Sequence, residues 1–198
     1  MQEFSFSTRI FFGEGALERL SRVEDKRVLI VTDRFMAGMK VPDKVASHLT
    51  RCTVTVFDGV VPDPPIEVVT AGVMAFQACN AEVVIAVGGG STIDADISTV
   101  TAGTAMLLDF QPQAVIAFGG GSAIDAAKAI RAIAKQVLNI ETDKLECFAV
   151  PTTSGTGSEV TDYAVITDKA RGVKYPLDSQ ALRPPVAILD PELTVSAP

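Results

Sequence analysis

The hydrophobic pattern along the chain switches repeatedly between two periods. Short apolar, β-branched runs stand at RVLIVTD (27–33), CTVTVFDGVV (52–61), 82–87, 113–118, the start of CFAVPTTSGTGSEVT (147–161), YAVITD (163–168) and VAILD (186–190). Their length and composition predict strands, most of them buried. FSFSTRIFFG (4–13) alternates and is β-prone. Between the runs, GALERLSRV predicts a short amphipathic helix, and FMAGMKVPDKVASHL (35–49) a helical stretch interrupted at Pro42. Further helices are predicted over 66–80, 92–109 and 123–138, the last alanine-rich with apolar residues at helical spacing. PDPP (62–65) reads as a turn and GVKYPLDSQALRP (172–184) as irregular chain. Strands alternating with helices predict a three-layered α/β domain with a mostly parallel sheet.

One part of this pattern occurs twice. Gly88 and Gly119 are 119 − 88 = 31 residues apart, and the same offset pairs Thr70-Ala71-Gly72 with Thr101-Ala102-Gly103 and Val84-Ile85-Ala86 with Val115-Ile116-Ala117. Residues 66–96 align with 97–127 without a gap, and about half the positions are identical. Each copy holds one helix, one strand and one GGGS loop. Two copies are too few for a solenoid, so the repeat predicts a sheet enlarged by one βα unit within a single domain, residues 1–198. Expelling either apolar strand would bare an edge, so both are expected in one sheet, joined by a helix over 92–109.

Charge and composition narrow the function classes. A net charge of −7 without a basic stripe excludes a phosphate-backbone binder, so no nucleic-acid partner is expected. No apolar run is long enough to span a bilayer, and the N-terminus has no basic, apolar leader; the cytoplasm is the expected location and no membrane partner is expected. Cys52, Cys79 and Cys147 are odd in number with no CxxC pair, which fits packed, reduced thiols.

The candidate chemistry sits where strands end. A GGGS loop between a buried strand and a helix lets the backbone approach a ligand phosphate, and the helix N-terminus favours the anion. The alternative is a tight strand-to-helix turn. Two loops qualify: Gly119, Gly120, Gly121 and Ser122, and the alternative Gly88, Gly89, Gly90 and Ser91. Ser122 with Asp125, and Ser91 with Asp94, have capping-box spacing. PTTSGTGSE is a second loop rich in glycine and hydroxyls, at the end of another strand, where ligands of open parallel sheets collect. Asp33 closes RVLIVTD; a carboxylate there can accept both ribose hydroxyls and repel a 2′-phosphate.

Taken in order, TRIFFGEGAL, VLIVTD, VVPDPPIE, GGGSAIDAAKAI, VPTTSGTGSEVT and AILDPEL resemble the N-terminal half of the iron-containing alcohol dehydrogenases. Within that family the wording is closest to the 1-propanol dehydrogenases of bacterial propanediol-utilisation pathways. The resemblance implies a Rossmann-like nucleotide domain. It implies NAD phosphates on Gly119, Gly120, Gly121 and Ser122, adenine and ribose contacts on Thr152 and Thr153, and Ser154 and Thr156 facing the cofactor. Asp33 would be the acidic selector, favouring NAD over NADP.

The sequence departs from the family pattern twice. It carries two GGGS units, and the lysine of AAKAI in the second becomes isoleucine in ADIST of the first. The pattern looks like two homologous fragments spliced between Ala95 and Asp96, by deliberate construction in preference to divergent natural duplication. The metal ligands of the family belong to its helical C-terminal half, which the resemblance places beyond this chain. The only histidine is His48, so the family's iron is not expected to bind. The expected function is therefore an NAD-binding half without catalysis of its own. The competing readings are an engineered or recombined scaffold that binds nothing, and a subunit needing a separate helical partner. Apolar surface left without the helical half is expected to drive homo-oligomer formation.

Overall fold

The computed structural model describes residues 7–61, 66–88, 95–136 and 145–195. Seven parallel strands form one sheet: β1 (Arg9–Phe12), β2 (Arg27–Asp33), β3 (Thr53–Val60), β4 (Val83–Val87), β5 (Ala114–Gly119), β6 (Glu146–Pro151) and β9 (Val186–Leu189). Their spatial order is β1-β9-β6-β5-β4-β2-β3. The remaining pair, β7 (Tyr163–Asp168) and β8 (Val173–Asp178), makes a separate antiparallel hairpin.

Period-two alternation decides what each face buries. Val28 and Ile30, Val83, Ile85 and Val87, Ile116 and Phe118, Val150, and Ile188 all enter one core. Leu17 and Leu20 of a 3-10 segment (Ala16–Arg22), Met36 of α1 (Arg34–Gly38) and Val45 of α2 (Val41–Ser47) cover that face. The opposite face meets α3 (Ile66–Cys79) through Phe76 on Leu29, and α5 (Gly121–Gln136) through Ile124 and Ala127 on Ala117 and Ala149. Helix α4 (Ile97–Phe110) packs beside α5, where Val100 joins Ala126, Ala129 and Ile166. The result is the expected α/β, Rossmann-like fold.

The two repeat copies lie side by side in that sheet. Val83 pairs with Ala114, Ile85 with Ile116 and Val87 with Phe118, so every pair joins a residue to its own counterpart 31 positions on. The added strand is thus a full member of the sheet, and α4 carries the chain from β4 to β5. Asp96 caps α4, accepting from Thr99 N at 2.7 Å.

Three local expectations change. The segment 16–22 winds as a 3-10 helix rather than an α-helix. Residues 173–178, expected to be irregular, form β8; every residue of it is exposed, and Pro176 is tolerable because β8 is an edge strand. The helix expected from residue 92 begins at Ile97. The PDPP turn and the segment 89–94, with Gly89, Gly90, Ser91 and Asp94, lie outside the described residues.

Candidate functional site

The second glycine loop is built from the end of β5 and the first turn of α5. Gly119 closes β5 opposite Pro151 of β6, and its carbonyl accepts Thr152 N at 2.9 Å. Gly120 precedes the helix, and its carbonyl takes Ala123 N at 3.1 Å and Ile124 N at 3.3 Å. Gly121 and Ser122 are the first two residues of α5, where backbone N–H groups have no partner within the helix. A Cβ on Gly121 would stand 2.9 Å from Thr156 Cγ2, so the absence of a side chain lets the hydroxyl-rich loop close onto the helix start. Gly155 (φ 104°) and Gly157 (φ 64°) turn that loop through left-handed backbone. Gly119 through Ser122 and Thr152 through Thr156 are therefore neighbours at the carboxyl end of β5 and β6. Thr152 and Thr153 are half-buried there, while Ser154 and Thr156 are exposed.

The loop is pinned from below. Lys128, about two helical turns further along α5, is buried and donates from Nζ to the Ser158 carbonyl (2.9 Å), to Ser158 Oγ (3.3 Å) and to the Tyr163 carbonyl. Asp125 accepts from Ser158 Oγ and from Val165 N (2.9 Å), and lies 3.5 Å from Lys128 Nζ. Burial pushes the Lys128 ammonium below its ordinary pKa, against the pull of Asp125. This replaces the expected capping box: Ser122 sits inside the helix, and Asp125 reaches outward to the loop instead of back to the helix start. The available signal was the lysine that copy one lacks. The residue 31 positions before it, Ile97, is exposed and cannot donate.

Asp33 stands elsewhere. It is buried at the end of β2, where Oδ1 accepts Met36 N at 2.8 Å and caps α1. Its neighbour in the sheet is β4, with Thr32 opposite Val87, and β4 in turn separates it from β5. The structure thus brings Gly119–Ser122 together with the Thr152–Thr156 loop and leaves Asp33 beside the first copy, next to Gly88. Gly88 itself is buried and donates its N–H to the Phe118 carbonyl at 2.9 Å.

Two further features involve none of these loop residues. A cavity of about 380 Å³ opens between the start of α4 and the β7–β8 turn, where Asp96 pairs with Lys169 Nζ at 3.1 Å. The Cys147 thiol is pushed up to about 11 by complete burial, which makes it a packing group rather than a nucleophile.

A strand end with a glycine loop, a hydroxyl loop from the next strand and a helix N-terminus between them is the arrangement the motif order implies. The profile of the family described as iron-containing alcohol dehydrogenase matches residues 7–96 and 95–191. The chain belongs to the iron-containing alcohol dehydrogenase family. The two matched stretches meet at Ala95 and Asp96, where the repeat predicts a junction. The 1-propanol dehydrogenase PduQ of Salmonella typhimurium is 42% identical over 200 residues, covering all of this chain and 45% of the relative. An aldehyde-alcohol dehydrogenase of Streptococcus pneumoniae is 35% identical over all of this chain and 22% of its own length. Among solved structures, the sulfoacetaldehyde reductase of Bifidobacterium kashiwanohense in complex with NAD+ superposes with a TM-score of 0.68 at 27% identity, covering 100% of this chain and 48% of that one. The iron-containing alcohol dehydrogenase of Thermococcus thioreducens gives 0.67 at 26% identity, over 99% and 48%. The chain spans about half the length of these single-activity relatives.

The sequence has one histidine, His48, half-buried at the end of α2, and no group of three or more His, Cys, Asp or Glu is placed to hold an ion among the described residues. Among those residues, too, no helix is long and apolar enough to cross a membrane.

Proposed function

We propose that this chain is a single nucleotide-binding domain that takes a nicotinamide dinucleotide, NAD being the member of that class seen in its structural neighbour, at Gly119–Ser122 and the Thr152–Thr156 loop. The observation that carries the reading is the apposition of Gly121 and Thr156, with the open N–H groups of α5 between them. A pyrophosphate over the first turn of α5 gains the backbone N–H groups and the positive end of the helix dipole. Thr152, Thr153, Ser154 and Thr156 offer hydroxyls to the rest of the ligand. Lys128 and Asp125 hold the far end of that loop through Ser158 and do not touch the ligand themselves.

Hydride transfer from an alcohol needs an electrophile at the oxygen that becomes the alkoxide, which a bound metal supplies in such chemistry. Among the described residues no donor set fits one, so we assign these residues cofactor binding rather than alcohol turnover. We further propose that it self-associates. Phe12, Phe35, Met74 and the β8 residues Val173, Tyr175 and Leu177 are exposed, and pairing of copies would cover part of them. A monomer at high concentration in analytical ultracentrifugation contradicts that part.

The test of the binding reading is NAD titration of the unmodified chain and of Ser122→Asp, followed by isothermal titration calorimetry and thermal melting. A carboxylate in the first turn favours the helix dipole, so the variant stays folded, yet it repels a phosphate. The reading predicts a ligand-induced rise in Tm for the unmodified chain and none for the variant. Equal binding by both refutes it, and no binding by either favours the scaffold alternative.

A further inference from the structure

Resting on that nucleotide reading, we infer that the added βα unit leaves this chain unable to choose between NAD and NADP, because a dinucleotide seated on Gly119–Ser122 lies beyond the reach of Asp33.

Asp33 ends β2, and Gly119 ends β5, with β4 hydrogen-bonded between them. Neighbouring strands stand about 4.8 Å apart, so the two ends are separated by two steps where a single-copy sheet would have one. One extra step of about 4.8 Å exceeds the whole working range of a hydrogen bond, roughly 2.7–3.2 Å. Asp33 cannot swing across to make up the difference. It is buried, and its Oδ1 is committed to Met36 N at 2.8 Å as the cap of α1.

Moving the ligand does not solve the problem. A dinucleotide shifted one strand toward Asp33 would sit at the end of β4 and leave the Thr152–Thr156 loop, which borders β5 and is bound to it through Thr152 N and the Gly119 carbonyl. It would also move away from the loop that Lys128 holds, and the residue 31 positions before Lys128 is Ile97, which cannot donate. The cradle that remains consists of uncharged groups: Gly119, Gly120, Gly121, Ser122, Thr152, Thr153 and Thr156. Backbone N–H groups and hydroxyls accept a ligand with or without a 2′-phosphate, and the acidic group that would reject the phosphate is absent from them.

The test uses the full chain. Calorimetric titrations with NAD and with NADP are run on the unmodified protein and on Asp33→Asn. Asparagine keeps the cap of α1, so circular dichroism of the variant should be unchanged. The inference predicts Kd values for the two cofactors within about fivefold of each other, in both proteins. A preference of more than about fivefold in either direction overturns it, whether or not Asp33→Asn abolishes that preference. Both outcomes leave the nucleotide site standing. Absence of binding by both cofactors instead overturns the site and the inference with it.

Discussion

A Cβ on Gly119 would stand 2.6 Å from the carbonyl oxygen of Gly88, its own counterpart in the other repeat copy. The two loops are therefore in contact at their first glycines, and the backbone of one copy fixes the residue type of the other. Packing alone therefore requires a glycine at position 119.

Gly119→Ala should accordingly destabilise the chain even with no ligand present. The new methyl meets the Gly88 carbonyl and the Ala123 Cβ at 3.0 Å, so β4 and β5 must part at their ends. Overpacking of this kind costs about 1–3 kcal/mol. Urea denaturation followed by circular dichroism measures it. A variant as stable as the parent would show that the two strand ends are not in contact.

Lys128→Met should loosen the hydroxyl loop more than it loosens the sheet. The substitution keeps the apolar stem of a buried side chain but leaves the Ser158 and Tyr163 carbonyls without their donor. Removing one member of a buried pair costs about 3 kcal/mol. Amide hydrogen exchange should show protection lost across 152–163 before it is lost in β2. Uniform loss across both regions would assign Lys128 to general stability alone.

The pH dependence of stability should carry a contribution from Asp96. Burial pushes its carboxyl up, but the Thr99 N–H and the Ser98 hydroxyl outweigh burial and hold it below the ordinary carboxylate range. A depressed folded-state pKa stabilises the fold above the unfolded value, near pH 4, and that contribution disappears as pH falls through the folded value. Asp96→Asn keeps a capping side chain and removes the charge. The parent should therefore exceed the variant in stability at pH 6, and the gap should close below about pH 4. A gap independent of pH would remove the charge from the account.

Much of the fold was legible in the chain. The β-branched runs gave the buried parallel strands, the repeat gave the additional strand, and the turn chemistry of PTTSGTGSE marked the loop beside Gly121. What was not legible follows from geometry that apolar patterns do not encode. VVIAV and AVIAF are equally apolar, so nothing in them says which lies next to β2 and which next to β6; the strand order decides that. The β8 strand was hidden because an edge strand exposed throughout needs no hydrophobic alternation, and VKYPLD has a proline besides. The anchoring role of Lys128 was half visible: its loss in copy one could be read, but its partners Ser158 and Tyr163 lie 30 and 35 residues away.

In the proposed nucleotide site, Gly119–Ser122 and the Thr152–Thr156 loop lie on one side of β4 and Asp33 on the other. The most direct measurement is an amide NMR titration of the full chain with NAD. The account predicts chemical-shift changes concentrated at 119–123 and 152–158, with the amides of Asp33, Arg34 and Phe35 unmoved. Changes centred on Asp33–Phe35, with 152–158 silent, would contradict it.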